Sequence, residues 1–245
     1  MSMSSRGSMR HRLTEVKYKR IDHTKSGNIK FATTPYRWLI LVLFCGLFLN
    51  TAIATVGFSS FLTQIRVAYD ADVWAVTLLI VLPTLLYAPM NFASATLFAN
   101  MKSNKVLKMA AIFQLCGGWL RALSFIDPQY FWILMSGTVI FFVSNPLVLN
   151  SISLVANLWF SDEERARATA IAGLMAPMGS LIGLAITGFI ASGIDAKDQD
   201  ACMKAMKTIV YIQNIVFTLI CVPFLILFKE KPKTPPSKLA LIFRQ

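Results

Sequence analysis

Residues 158–170 read Leu158-Trp159-Phe160-Ser161-Asp162-Glu163-Glu164-Arg165-Ala166-Arg167-Ala168-Thr169-Ala170, a short acidic-then-basic turn between two long apolar runs. Trp159 is the kind of residue that settles at a membrane interface. Ser161 and Asp162 suit a helix N-cap, and the acids that follow complement the positive end of a helix. Arg165 and Arg167 then lead into small side chains. A turn this short and polar, so flanked, reads as the joint between two membrane-spanning helices, Tyr130 to Trp159 before it and Ala168 to Gly193 after it.

Outward from that joint lie four more apolar runs: Trp38 to Phe61, Val73 to Ala99, Leu107 to Ile126 and Thr208 to Phe228. Each run meets or approaches the roughly 20 residues that cross about 30 Å of hydrocarbon at 1.5 Å per residue. The composition agrees, with 56% hydrophobic and only 15% charged residues and a mean hydropathy of +0.58 over 245 residues. The fold class is therefore all-α integral membrane, with six transmembrane helices and the lipid bilayer as solvent. Arg121, near the end of the third run, is expected to snorkel to the interface.

Lys and Arg are distributed asymmetrically. Nineteen fall before the first run, in Lys102 to Lys108, at Arg165 and Arg167, and from Lys229 to Arg244. The alternate connections hold Arg66, Arg121, Lys197, Lys204 and Lys207. The positive-inside rule then puts both termini on the cytoplasmic side or its topological equivalent. Three parts are expected: a basic polar tail over 1–35, a six-helix membrane domain over 36–229, and a basic tail over 230–245 whose Pro232, Pro235 and Pro236 forbid continuing the last helix.

The net charge of +12 lies in short connections and tails, without interleaved aromatics, which argues against nucleic-acid binding. No CxxC or Cys/His cluster suggests a metal, and no cofactor is expected. Cys45, Cys116 and Cys221 lie in apolar runs, whereas Cys202 falls in a polar stretch and reads as a loop thiol, free or paired with another chain. There is no nucleophile with a base and no pair of carboxylates, and His11 and His23 both sit in the first tail, so an enzyme is the least favoured class.

The 158–170 stretch, together with Gly179-Ser180-Leu181-Ile182-Gly183, resembles the fourth-to-fifth helix region of the major facilitator superfamily, in its N-terminal six-helix half. Phe228-Lys229-Glu230-Lys231-Pro232-Lys233-Thr234-Pro235-Pro236-Ser237 and Gly117-Gly118-Trp119-Leu120 are similar to the feline leukaemia virus subgroup C receptor-related family. The resemblance implies transport of a small organic solute, with choline-like amines and haem as substrate classes.

Asn50 matches a family Asn. Ala54 stands where choline-transporting relatives place a cation-binding Trp, and Pro177 corresponds to a cavity Gln. A cation over an aromatic face gains about 0.5 to 2 kcal/mol, which Ala cannot supply. In the loop between helices two and three, Asn100 replaces the family's acid while Lys102 and Lys105 keep the basic character, making these three a candidate gating loop.

The spans contain no Asp, Glu or His. Their polar residues are neutral apart from Lys108 and Arg121 in the third, and include Asn91, Gln114, Asn145, Asn150, Ser153, Asn157, Gln213 and Asn214. This inventory suits facilitative movement rather than proton symport. Asn150, Ser153 and Asn157 share one face of an unbroken helix, where they would line a wet cavity or bond to a neighbouring helix. Gly179 and Gly183 head a small-residue stripe suited to close helix packing. The candidate substrate-pathway residues are Asn50, Ala54, Asn145, Asn150 and Pro177.

A major facilitator rocks two six-helix halves about a site between them. Six helices make one wall, so the expected partners are a small-molecule solute and a second six-helix half, either another copy or a separate chain. The alternative is a non-transporting structural subunit of a larger membrane complex that retains half of a transporter fold. The location is a plasma or organelle membrane. The Ser/Arg-rich, acid-free Met1 to Thr14 makes the mitochondrial inner membrane the alternative.

Overall fold

The computed structural model describes residues 34–229 together with 232, 236 and 237. Most of the two expected tails therefore lies outside the described residues. The described chain is helical throughout. Hydrocarbon offers backbone N–H and C=O groups no partner, so an apolar run must satisfy them within itself. The helices are α1 (Tyr36–Gly57), α2 (Leu62–Tyr69), α3 (Val73–Asn100), α4 (Ser103–Leu123), α5 (Phe131–Val143), α6 (Asn145–Asn150), α7 (Ile152–Trp159), α8 (Asp162–Ser192) and α9 (Gln199–Leu227).

These build six spans long and apolar enough to cross a membrane: Tyr36–Tyr69, Val73–Asn100, Ser103–Ile126, Pro128–Asn150, Asp162–Ser192 and Gln199–Leu227. The first span extends past the expected Phe61. A 3₁₀ turn at Ser59–Phe61 leads into α2, which ends on Asp70 in the left-handed conformation at φ 46°. A short polar residue tolerates that conformation and reverses the chain into α3.

The sixth helix starts at Gln199 rather than Thr208, which adds nine residues, about 14 Å of helix, to the expected span. Its first turn is polar and is capped by Asp198, whose side chain accepts from the Ala201 N–H at 3.0 Å. Cys202 is consequently not a loop thiol. It is buried in the first turn of α9, with its sulfur 3.7 Å from the Asp195 carbonyl.

The fourth span is not one uninterrupted helix. Pro146 has no N–H to give to the preceding turn, and the ladder is interrupted at Ser144 and Ser151. Each serine bends its hydroxyl back onto a carbonyl, Ser144 to Phe141 at 2.6 Å and Ser151 to Val148 at 2.7 Å. The single face assumed for Asn150, Ser153 and Asn157 therefore crosses a break at Ser151.

Small residues set the closest approaches. A β-carbon at Gly179 would lie 2.6 Å from that of Ala52, and one at Gly183 would lie 2.7 Å from Val56 Cγ2, so α8 packs backbone-close against α1. Gly137 of α5 is equally tight on α4, where a β-carbon would stand 2.8 Å from the Arg121 nitrogen. With lipid outside, such packing and buried hydrogen bonds replace the hydrophobic effect as the force between spans. Gln114 of α4 donates to Thr51 of α1 at 2.7 Å, and Asn214 of α9 donates to the Gly118 carbonyl at 2.7 Å.

One end of the bundle is clamped by the acidic-then-basic turn over residues 158–170. Arg37 at the start of α1 pairs with Glu164 at 2.7 Å, and its guanidinium lies near the Trp38 and Phe160 rings. Ser161 occupies the N-cap position of α8, but its hydroxyl meets the Glu164 carboxylate instead of a backbone N–H. Arg165 pairs with Asp162 and reaches Ser237 at 3.2 Å, while the Tyr36 hydroxyl donates to the Leu227 carbonyl.

Arg121 does not snorkel. It is 3% exposed, and its guanidinium carbon lies 4.4 Å from the centre of the Phe58 ring and 5.2 Å from that of Phe141. Two aromatic faces from other spans replace the water that the side chain was expected to reach.

Candidate functional site

The first, third and fourth spans are half or more buried over their apolar stretches, whereas the second is 22%, the fifth 17% and the sixth 28% buried. The second and fifth thus present long, largely open faces. Beside the second, the amide of Asn150 donates to Asn91 Oδ1 at 2.8 Å and to Ser94 Oγ at 2.6 Å, tying α6 to α3. Ser94 passes its own proton to the Asn91 carbonyl at 2.8 Å. Asn150 itself is exposed. With both of its amide hydrogens committed, its side-chain oxygen is left as the available acceptor.

The other candidate residues lie apart from this cluster. Asn50 is buried on α1 and accepts from Gln213 of α9 at 3.0 Å. Ala54 is buried in a small apolar group with Phe141 and Phe142, against which Leu86 packs. Asn145 opens α6 and is half-buried, while Pro177 lies exposed midway along α8.

Asn100 ends α3, with its amide on the Thr96 carbonyl at 3.0 Å. Lys102 stands at the N-cap position of α4 and Lys105 in its first turn, both exposed. Ser94 escaped the sequence reading. Its signal was the spacing of three from Asn91, which stacks the two on one helical face. No group of three or more His, Cys, Asp or Glu among the described residues could hold a metal ion.

A family model described as Major Facilitator Superfamily matches residues 147–242. The fold matches the crystal structure of a bacterial homolog to the human lysosomal transporter Spinster, inward-facing and unoccupied, with a TM-score of 0.62 at 15% identity. The match covers 84% of this chain and 46% of that one. The chain shares the fold of about half of that transporter.

The half-fold is 27% identical over 223 residues to the zebrafish (Danio rerio) choline/ethanolamine transporter flvcr2a, covering 89% of this chain and 47% of that protein. It is 27% identical over 205 residues to the rat (Rattus norvegicus) choline/ethanolamine transporter FLVCR2, covering 82% of this chain and 36% of the relative. It thus spans less than half the length of these relatives. The match to the receptor-related family suggested by residues 117–120 and 228–237 holds across most of the chain.

Proposed function

We propose that the chain forms one wall of a facilitative pathway for a small organic solute bearing N–H or O–H donors, an ethanolamine- or choline-like amine being the leading class. The observation that carries this reading is Asn150 itself, an exposed amide whose hydrogens are held by Asn91 and Ser94 and whose oxygen remains as an acceptor. An exposed amide at this depth is costly against lipid tails and inexpensive against a wet cavity. Its acceptor would receive the hydroxyl or amine proton of such a solute. The relatives named for choline and ethanolamine support the substrate class.

Alternating access needs a second wall. A second six-helix half, another copy or a separate chain, would face the open sides of the second and fifth spans and close the pathway around Asn150. The spans, free of Asp, Glu and His as read from the sequence, suit movement down a gradient without proton coupling. Asn100, Lys102 and Lys105 would form a basic turn at the mouth of this wall.

Liposome uptake of radiolabelled choline and ethanolamine tests the reading. Purified chain alone is expected to show no saturable uptake, and the chain combined with a second half is expected to show it. Saturable uptake by monomeric chain overturns the need for a second half. Failure of every completed assembly to transport favours the structural-subunit reading.

A further inference from the structure

On the side of the bundle formed by the first, fifth and sixth spans lies a cleft of about 290 Å³. Its walls are almost wholly apolar, including Ile53, Ile186, Ile212 and Val216, and no acidic residue lines it. Arg121 and Asn50 also line it, and each holds a buried donor with no hydrogen-bond partner, Arg121 Nε and Asn50 Nδ2. The buried cation lies against the Phe58 and Phe141 rings, with Tyr69 also near, and none of the ion pairs among the described residues includes it. A buried charge without a counter-charge is strongly unfavourable, so the site is incomplete until an anion enters.

The dimensions point to the anion's shape. From Phe58 to Gly46, both on the cleft wall, is twelve residues, about 18 Å of helix and close to one leaflet of a hydrocarbon core about 30 Å thick. Arg121 lies five residues before Ile126, the last residue of the third span, so it stands about 8 Å inside that end. At the inner end Gly46 closes on Ile220, which a β-carbon would meet at 2.6 Å. The volume lies near the lower bound of about 300 Å³ for small-molecule pockets, enough for a chain and too narrow for a broad ring.

We propose that this cleft is a binding site for an anionic membrane phospholipid, with one acyl chain lying between the first, fifth and sixth spans and the phosphate paired to Arg121. None of its lining residues lies on α3 or α6, the helices of Asn91 and Asn150, although Asn50, a pathway candidate from the sequence, is part of its wall.

The test uses full-length chain in phosphatidylcholine vesicles containing a spin-labelled lipid, with the motionally restricted fraction read by electron paramagnetic resonance. Labelled phosphatidylglycerol should be restricted at least threefold more than labelled phosphatidylcholine. Arg121→Gln should lower that preference and Arg121→Lys should largely restore it. Ile212→Trp, which fills the cleft from an exposed position, should lower it too.

The basic tails attract anionic lipid on their own, and the variants leave them intact, so the difference between variants reports the cleft. Equal restriction of the two lipids, or a preference unchanged in Arg121→Gln, overturns the proposal. If Arg121→Gln does not fold, an unchanged preference in Ile212→Trp does so instead. Restriction of labelled stearate, with phosphatidylglycerol at the phosphatidylcholine level, identifies a free fatty acid as the occupant and overturns the phospholipid assignment.

Discussion

Asn150 gives both of its amide hydrogens to the second span, one to Asn91 and one to Ser94, and so fixes the broken fourth span against a helix that is otherwise mostly uncovered. Hydrogen bonds between membrane helices average about 0.6 kcal/mol and reach about 1.7 kcal/mol. Asn150→Leu is expected to cost an amount within that range in unfolding measurements in mixed micelles. It should also reduce solute uptake by the completed assembly by far more than that loss explains. A variant that unfolds earlier yet transports normally removes Asn150 from the pathway.

Gly179 faces Ala52 across one of the tight helix contacts of the bundle. Gly179→Leu forces a side chain against the Ala52 methyl and the Leu49 carbonyl, which a β-carbon alone would meet at 2.6 and 2.8 Å. Overpacking of this kind costs about 1 to 3 kcal/mol or more. Thermal unfolding should show the loss. Gly173→Leu on the same helix, where a β-carbon meets nothing within 4 Å, should show almost none.

The Arg37–Glu164 pair is only 12% and 28% exposed in its side chains and joins the first span to the start of the fifth. Arg37→Gln and Glu164→Gln should each destabilise the chain. In a double-mutant cycle the two should couple by about 1 kcal/mol, above the few tenths common for surface pairs. Additive effects would show that the aromatic neighbours Trp38 and Phe160, rather than the carboxylate, hold the guanidinium.

Thiol accessibility separates the sequence reading from the structure. A loop thiol at Cys202 would react readily with a polar maleimide, whereas a thiol buried in the first turn of α9 should react only after denaturation. Mass spectrometry of labelled, folded chain should therefore find Cys202 unmodified. Cys45 and Cys221 should be protected as well.

The existence and number of the spans were legible because an uncharged run of about 20 residues has few alternatives in water. The helix ends were not. Asp162 and Gln199 begin their helices with polar turns where hydropathy is silent, and only the second of them is capped by a side chain, that of Asp198. The burial of Arg121 was hidden for another reason, since its aromatic neighbours Phe58 and Phe141 come from two other spans.

The polar site was half legible in the same way. Asn50 and Asn150 both stood out as amides in apolar runs, but only tertiary structure could turn one toward Gln213 and the other toward Asn91. Ser144 and Ser151 look like ordinary span residues in sequence. Their bonds back to Phe141 and Val148 mark the two points where the fourth span changes course.

The contact of Gly179 and Gly183 with the first span also bears on how such a sequence can drift. Ala52 and Val56 share their space with two absent side chains, so any gain of volume on one helix has to be matched by a loss on its neighbour. These four positions are bound to change as a set. In divergent copies of the chain their volumes should vary in compensation even where little else has been kept.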